Sequence, residues 1–173
     1  HLLALKKLGA KIKIKDGYIL AEAKNGLKGA TIKFPSISVG ATENALLAAF
    51  KAKGKSILKN CAIEPEIKDL ILFLNKMGGQ IKISGRTITI NESKKNKLPI
   101  THEIIFDRIE AGTYMIASAL IGKNMTIERI DPKIIKHEIN TLKKILIKIK
   151  KFKSSLKIQK NKMLKKTNVI TKP

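Results

Sequence analysis

A chain of 173 residues with 43% hydrophobic content has room for one domain or for parts of two. Aromatic residues are only 4% and Trp is absent, so the core must be built from Ile, Leu and Ala. The net charge of +23 raises nucleic-acid binding, yet Arg86, Arg108 and Arg129 are the only arginines, which leaves few bidentate contacts and few rings for stacking.

His1 opens the chain and residues 2–8 read as the middle of a helix, so the true start is expected upstream. Gly9 suits the left-handed conformation after a helix end, and Lys11-Ile12-Lys13-Ile14 then alternates as a strand. The pattern returns as Leu74-Asn75-Lys76-Met77-Gly78-Gly79-Gln80-Ile81-Lys82-Ile83. It returns more weakly as Leu142-Lys143-Lys144-Ile145-Leu146-Ile147-Lys148-Ile149. A period of roughly 70 residues is too long for a solenoid and marks a duplicated supersecondary unit. Leu146 holds the Gly position of the third copy, so that helix end must be built differently or be strained.

Between the first two copies, Ser36-Ile37-Ser38-Val39-Gly40 leads into a small-residue helix over residues 41–52. A helix start exposes unpaired N–H groups and carries about half a positive charge, so it can hold an anion or a carbonyl. Gly40 lets a ligand approach the backbone and Ser38 adds a hydroxyl. By itself, Ser-x-Gly before a helix is commonly only a cap. A strand follows over residues 56–59, and Cys61 lies at its end with no His nearby. The thiol reads as a small buried hydrophobe, not a nucleophile. A single cysteine forms no internal disulfide, which fits a reducing cytoplasm.

Glu64-Pro65-Glu66 opens the next helix, with Pro65 at a first helical position. Ile67, Leu70, Ile71, Leu74 and Met77 fall on one face. The two carboxylates either complement the helix dipole or orient a cationic side chain in a cleft. Residues 80–83 and 87–90 read as a hairpin turned by Ser84-Gly85. Residues 91–101, with a Lys/Asn/Ser run and Pro99, read as a loop leading to an inter-domain crossing near residues 103–107.

Asp107-Arg108-Ile109-Glu110 opens a second small-residue helix over residues 111–121, with Asp107 as cap and Glu110 in capping-box register. Arg108 suits a carboxylate or phosphate. Gly122-Lys123-Asn124 then separates that helix from a strand over residues 125–130, and Asp131-Pro132 starts a helix whose buried stripe is Ile135, Ile139, Leu142 and Ile145. The unit reads strand–helix–strand–helix–strand–strand, with helices on one side of a mixed sheet. His1, His102 and His137 are scattered without metal-ligand spacing, and no phosphate-loop or dinucleotide fingerprint is present, so no cofactor is expected. The Lys/Ile/Asn excess reads as compositional drift on solvated faces. Beyond Lys133 the only acidic residue is Glu138, so loose polyanion binding is expected. No apolar run is long enough to cross a bilayer.

In order and spacing, SVGATEN at residues 38–44, EPEIKDLILFLNKMG at 64–78 and DRIEAGTYMIASA at 107–119 resemble the UDP-N-acetylglucosamine enolpyruvyl transferases, and the resemblance runs from His1 to Pro173. It implies an inside-out α/β barrel of repeated βαβαββ units, incomplete here. Residues 1–101 would form two units of one barrel domain, and residues 102–173 the first unit of the other. The implied reaction moves the enolpyruvyl group of phosphoenolpyruvate to the 3′-hydroxyl of UDP-N-acetylglucosamine, opening peptidoglycan synthesis, with roles in cell-wall biogenesis, cell shape and cell division. The resemblance assigns Ser36, Ile37, Ser38 and Val39 to the grip on the uridine diphosphate, with Gly40 in support. Ser36 stands where the family often has a basic residue, which removes one charge-assisted contact. His1 matches a position just after a nucleotide-contacting segment. Glu64, Glu66, Asp107, Arg108 and Glu110 match cleft and hinge positions. The family's catalytic cysteine would lie before His1 and its proposed general base after Pro173, so this polypeptide alone is expected to be inactive. The complete protein is expected to be a cytoplasmic monomer without specific nucleic-acid or membrane partners. Two other readings remain: a sugar-nucleotide-binding module without chemistry, and a basic nucleic-acid-binding protein.

Overall fold

The structure, a computed structural model, describes residues 1–93, 99–121, 124–159 and 165–169. It divides into two units, His1–Glu103 and Ile104–Pro173. Alternating Ile and Lys cannot lay an apolar stripe on a helix, and each such run is extended. After α1 (Leu2–Lys7), the strands β1 (Lys11–Lys15) and β2 (Tyr18–Glu22) pair antiparallel. One complete βαβαββ set follows: β3 (Thr31–Lys33), α2 (Val39–Lys51), β4 (Ser56–Lys59), α3 (Pro65–Lys76), β5 (Gln80–Ser84) and β6 (Thr87–Asn91). Its sheet order is β3-β4-β6-β5. The β3–β4 pair is parallel and the other two pairs are antiparallel. A parallel pair needs a long crossover, which α2 supplies.

Small residues put α2 at the centre. Ala45 and Ala49 are buried, and α2 packs against both α1 and α3. Leu46, Ile67, Ile71 and Leu74 meet Leu58, Ile81, Ile88 and Ile90 of the sheet in one core. Asn75 clips α3 to β5: its Oδ1 accepts from the Ile81 N–H at 2.8 Å and its Nδ2 donates to the Ile81 carbonyl at 3.0 Å.

The second unit runs α4 (Arg108–Ile121), β7 (Met125–Glu128), α5 (Lys136–Lys144), β8 (Lys148–Lys151) and β9 (Ser155–Gln159). The order β7-β9-β8 repeats β4-β6-β5. Met115, Ile135, Ile139, Leu142, Leu156 and Ile158 belong to its core. The repeat extends to the backbone. Gly9 and Gly78 end their helices at φ 98° and 93°, and Leu146 does so at 71°. Asn60 and Arg129, each just past the first strand of the repeated β–α–β–β part, lie at 60° and 56°.

Three local expectations shift. Asp131-Pro132 does not start α5, which begins at Lys136; the Asp131 carboxylate instead accepts from the Lys133 N–H at 2.9 Å and closes a separate turn. β7 ends at Glu128 because Arg129 turns left-handed. Ser84 pairs with Thr87, so Gly85-Arg86 form the hairpin turn. The Gly122-Lys123 break and residues 94–98 of the loop lie outside the described residues.

Leu146 is 54% exposed, so its side chain returns little for the left-handed backbone that it occupies. Leu146→Gly removes a steric cost of about 1 kcal/mol. The urea midpoint followed by circular dichroism should therefore rise; a fall would contradict strain at this turn. Cys61 is fully buried, and that desolvation pushes its thiol up to about 11 from 9.0, partly offset by a backbone hydrogen bond from Ile88. The folded value is raised, so the contribution of the neutral thiol to stability is complete below pH 9 and is lost as the pH rises through about 11. At pH 8 a thiol-disulfide reagent should leave native Cys61 unmodified while labelling the urea-unfolded chain. Equal labelling rates would rule out the buried thiol.

Candidate functional site

Parallel pairing of β3 and β4 brings the loops after both strands to one sheet edge. Carboxyl ends of parallel strands are where open α/β sheets hold ligands. The first loop carries Ser36, Ile37, Ser38, Val39 and Gly40 into α2; the second carries Glu64 and Glu66 into α3. Side chains fasten the two loops together. The buried Thr42 hydroxyl donates to the Ser38 carbonyl at 2.8 Å and accepts from the Ala62 N–H at 3.0 Å. Asn60 Nδ2 donates to the Phe34 carbonyl at 2.9 Å.

Ser38 is the N-cap of α2, and its Oγ accepts from the Ala41 N–H at 3.3 Å. An accepting hydroxyl keeps its own proton, so the cap leaves Ser38 able to donate outward. His1 stands over this helix start. Its ring Cε1 lies 3.2 Å from where a Cβ on Gly40 would sit, and its Nδ1 meets the Asn44 side-chain amide. Gly40 is thus the residue that lets the imidazole lie on the first turn of α2. Sequence reasoning selected His1 and Gly40 but missed Asn44 and Thr42. Nothing in local spacing ties Asn44 to His1, because the two meet only when α1 packs on α2.

Glu64 precedes Pro65 at the start of α3, and its Oε2 accepts from the Ile63 N–H at 2.7 Å. Glu66 lies in the first turn of α3. Cys61 is anchored in the backbone below them: its N–H donates to the Arg86 carbonyl at 3.0 Å, and Arg86 Nη1 donates to the Cys61 carbonyl at 3.1 Å. The first unit therefore gathers His1, Ser36–Gly40, Glu64 and Glu66 at one end of its sheet.

The second unit holds the other three residues at the start of α4. Asp107 Oδ1 accepts from the Ile109 and Glu110 N–H groups at 2.8 and 3.0 Å, so Asp107 caps the helix. Arg108 Nη1 lies 3.9 Å from Glu138 Oε1, a long pair linking the starts of α4 and α5. Glu110 sits exposed in the first turn of α4. Among the described residues no group of three His, Cys, Asp or Glu side chains could hold a metal ion.

The family profile of EPSP synthase (3-phosphoshikimate 1-carboxyvinyltransferase) matches residues 1–173. The chain is 53% identical over 173 residues to the UDP-N-acetylglucosamine 1-carboxyvinyltransferase of Pelagibacter ubique, covering 100% of this chain and 42% of that one. It is 49% identical over 172 residues to the enzyme of that name from Endomicrobium trichonymphae, covering 99% and 41%. The enolpyruvyl transferase NikO from Streptomyces tendae superposes with a TM-score of 0.77 at 17% identity, over 90% of this chain and 40% of that one. EPSP synthase from Acinetobacter baumannii superposes with a TM-score of 0.62 at 17% identity, over 90% and 38%. The chain spans about two fifths of the length of the curated relatives that it matches. Its described residues form open sheets of the enolpyruvyl transferase fold and no closed barrel. Through a match along its whole length, the chain belongs to the EPSP synthase family.

Proposed function

We propose that this chain is part of an enzyme that transfers the enolpyruvyl group of phosphoenolpyruvate to the 3′-hydroxyl of UDP-N-acetylglucosamine, in the cytoplasm, at the entry to peptidoglycan synthesis. The observation that carries this reading is the α2 start, where Ser38 and the first-turn backbone of Val39 and Gly40 lie beside His1 at the carboxyl edge of a parallel strand pair. That arrangement suits a diphosphate, because backbone N–H groups and the helix dipole favour negative charge there. The relatives' shared name supplies the sugar nucleotide and the reaction class. On this reading Ser36, Ile37, Ser38 and Val39 grip the uridine diphosphate. Glu64 and Glu66 orient cationic groups of the cleft, and Asp107, Arg108 and Glu110 serve where the chain enters the second lobe. The residues that do the chemistry lie outside this chain, which binds without turnover. The complete enzyme acts as a monomer.

Calorimetry on the 173-residue chain with UDP-N-acetylglucosamine tests the reading. Saturable binding is expected, with no phosphate released above a heat-killed control when phosphoenolpyruvate is added. Gly40→Ala should weaken binding about tenfold, because the new methyl pushes against the His1 ring at 3.2 Å while leaving α2 a good helix former. Unchanged affinity in that variant would remove the α2 start from the site. The charge of +23 also predicts oligonucleotide binding that collapses between low and physiological salt. Oligonucleotide affinity that survives physiological salt, with no sugar-nucleotide binding, would favour the nucleic-acid reading.

A further inference from the structure

The buried stripe of α3 is Ile67, Ile71 and Leu74. A second stripe, Asp69, Phe73 and Lys76, follows the same spacing of four and then three residues on a different face. All three side chains engage one short stretch of chain beyond the sheet. Asp69 Oδ1 lies 3.1 Å from His102 Nε2, and the two side chains are only 13% and 9% exposed. The Phe73 ring centroid is 5.3 Å from the His102 ring centroid, tilted by 48°. Lys76 Nζ donates to the Thr101 carbonyl at 3.2 Å. A carboxylate accepts only, so His102 Nε2 carries the proton that it donates. His102 Nδ1 is buried with no partner among the described residues. A polar ring with an unsatisfied nitrogen is placed there against a desolvation cost, so the contacts to Asp69 and Phe73 must hold it.

We propose that Asp69, Phe73 and Lys76 form a clasp that fixes Thr101 and His102 to α3. The last stretch of the first unit is then a rigid strap, and free adjustment of the chain begins only beyond Glu103. His102 acts as a positioning residue: it holds the end of the first unit against α3. The clasp lies wholly within the first unit and needs no ligand, so its failure is separate from failure of the enolpyruvyl reading.

Backbone 15N relaxation on the full 173-residue chain tests it, because it reads rigidity whether or not an amide is hydrogen-bonded. The order parameter of His102 should match the rigid value of about 0.85 found within helices, and that of the exposed Ile104 should be lower. His102→Ala and Asp69→Ala should each drop the order parameter at position 102 below about 0.6 while leaving the α2 and α4 amides unchanged, and the double variant should add nothing further. His102→Gln, which keeps an N–H donor but loses the ring, should recover part of the loss. A flexible amide at His102 in the unaltered chain would overturn the clasp. So would an unchanged order parameter in either alanine variant. Because Asp69→Ala improves intrinsic helix propensity, loss of order there cannot be ascribed to a melted α3.

Discussion

Parallel pairing of β3 and β4, through only Thr31–Lys33 and Ser56–Lys59, is the constraint on which the candidate site depends. An antiparallel pair would send the two following loops to opposite ends of the sheet. The parallel pair sends both to one end, and a helix must then return the chain across one face. Thr42 holds the geometry. Its hydroxyl sits in the first turn of α2 and satisfies both the Ser38 carbonyl and the Ala62 amide, so one buried group sets the distance between the α2 start and the loop that leads to Glu64. Replacing it by an isosteric Val would orphan a buried amide, which costs about 1–3 kcal/mol.

The internal repeat explains why the two units use different residues at the same backbone positions. In the first unit Asn60 turns left-handed, a conformation that Asn tolerates, and its amide reaches the Phe34 carbonyl. In the second, Arg129 takes the same turn without that local chemistry. Gly78 becomes Leu146, and Asn75, which clips α3 to β5 by two hydrogen bonds, becomes Lys143. The fold is kept where three stabilising devices of the first unit have drifted away. What remains common is the apolar register: Ile81, Ile88 and Ile90 against Ile149, Leu156 and Ile158. Burial of matched Ile and Leu therefore carries the topology, and the caps and clips refine it.

Much of this was legible in the sequence because capping chemistry is local. Ser38, Pro65 and Asp107 announce α2, α3 and α4 within a few residues of where the helices begin. Alternation of Ile with Lys announces β1, β5 and β8. Asp131-Pro132 carries the same signature and caps only a turn, since a capping side chain satisfies a tight turn as well as a helix start. The contacts that sequence reading missed join distant residues. His1 and Asn44 are 43 residues apart, and Asp69 and His102 are 33 apart. Neither pair has a periodicity to betray it. Each exists because packing of one helix brings a polar side chain within reach of another segment.

The β1–β2 hairpin shows how the repeat logic accounts for an anomaly. Tyr18, Ile19 and Leu20 on β2 are 74%, 56% and 53% exposed, while Ile88 and Ile90 on the equivalent β6 are fully buried. Part of the difference is sequence: β6 alternates Thr87, Ile88, Thr89, Ile90 and Asn91, whereas Tyr18, Ile19, Leu20 and Ala21 are apolar toward both faces of β2. The rest is pairing. β6 and β9 each lie between two neighbours, whereas β2 pairs only with β1 among the described residues. In both fuller sets the second neighbour is the strand that precedes the repeated helix: β4 before α3 and β7 before α5. Without such a neighbour, the open row of N–H and C=O groups on β2 is an unpaired sheet edge. α1, β1 and β2 keep the helix–strand–strand backbone of the repeat, so the hairpin forms from its own cross-strand register while the burial of β6 depends on the sheet around it.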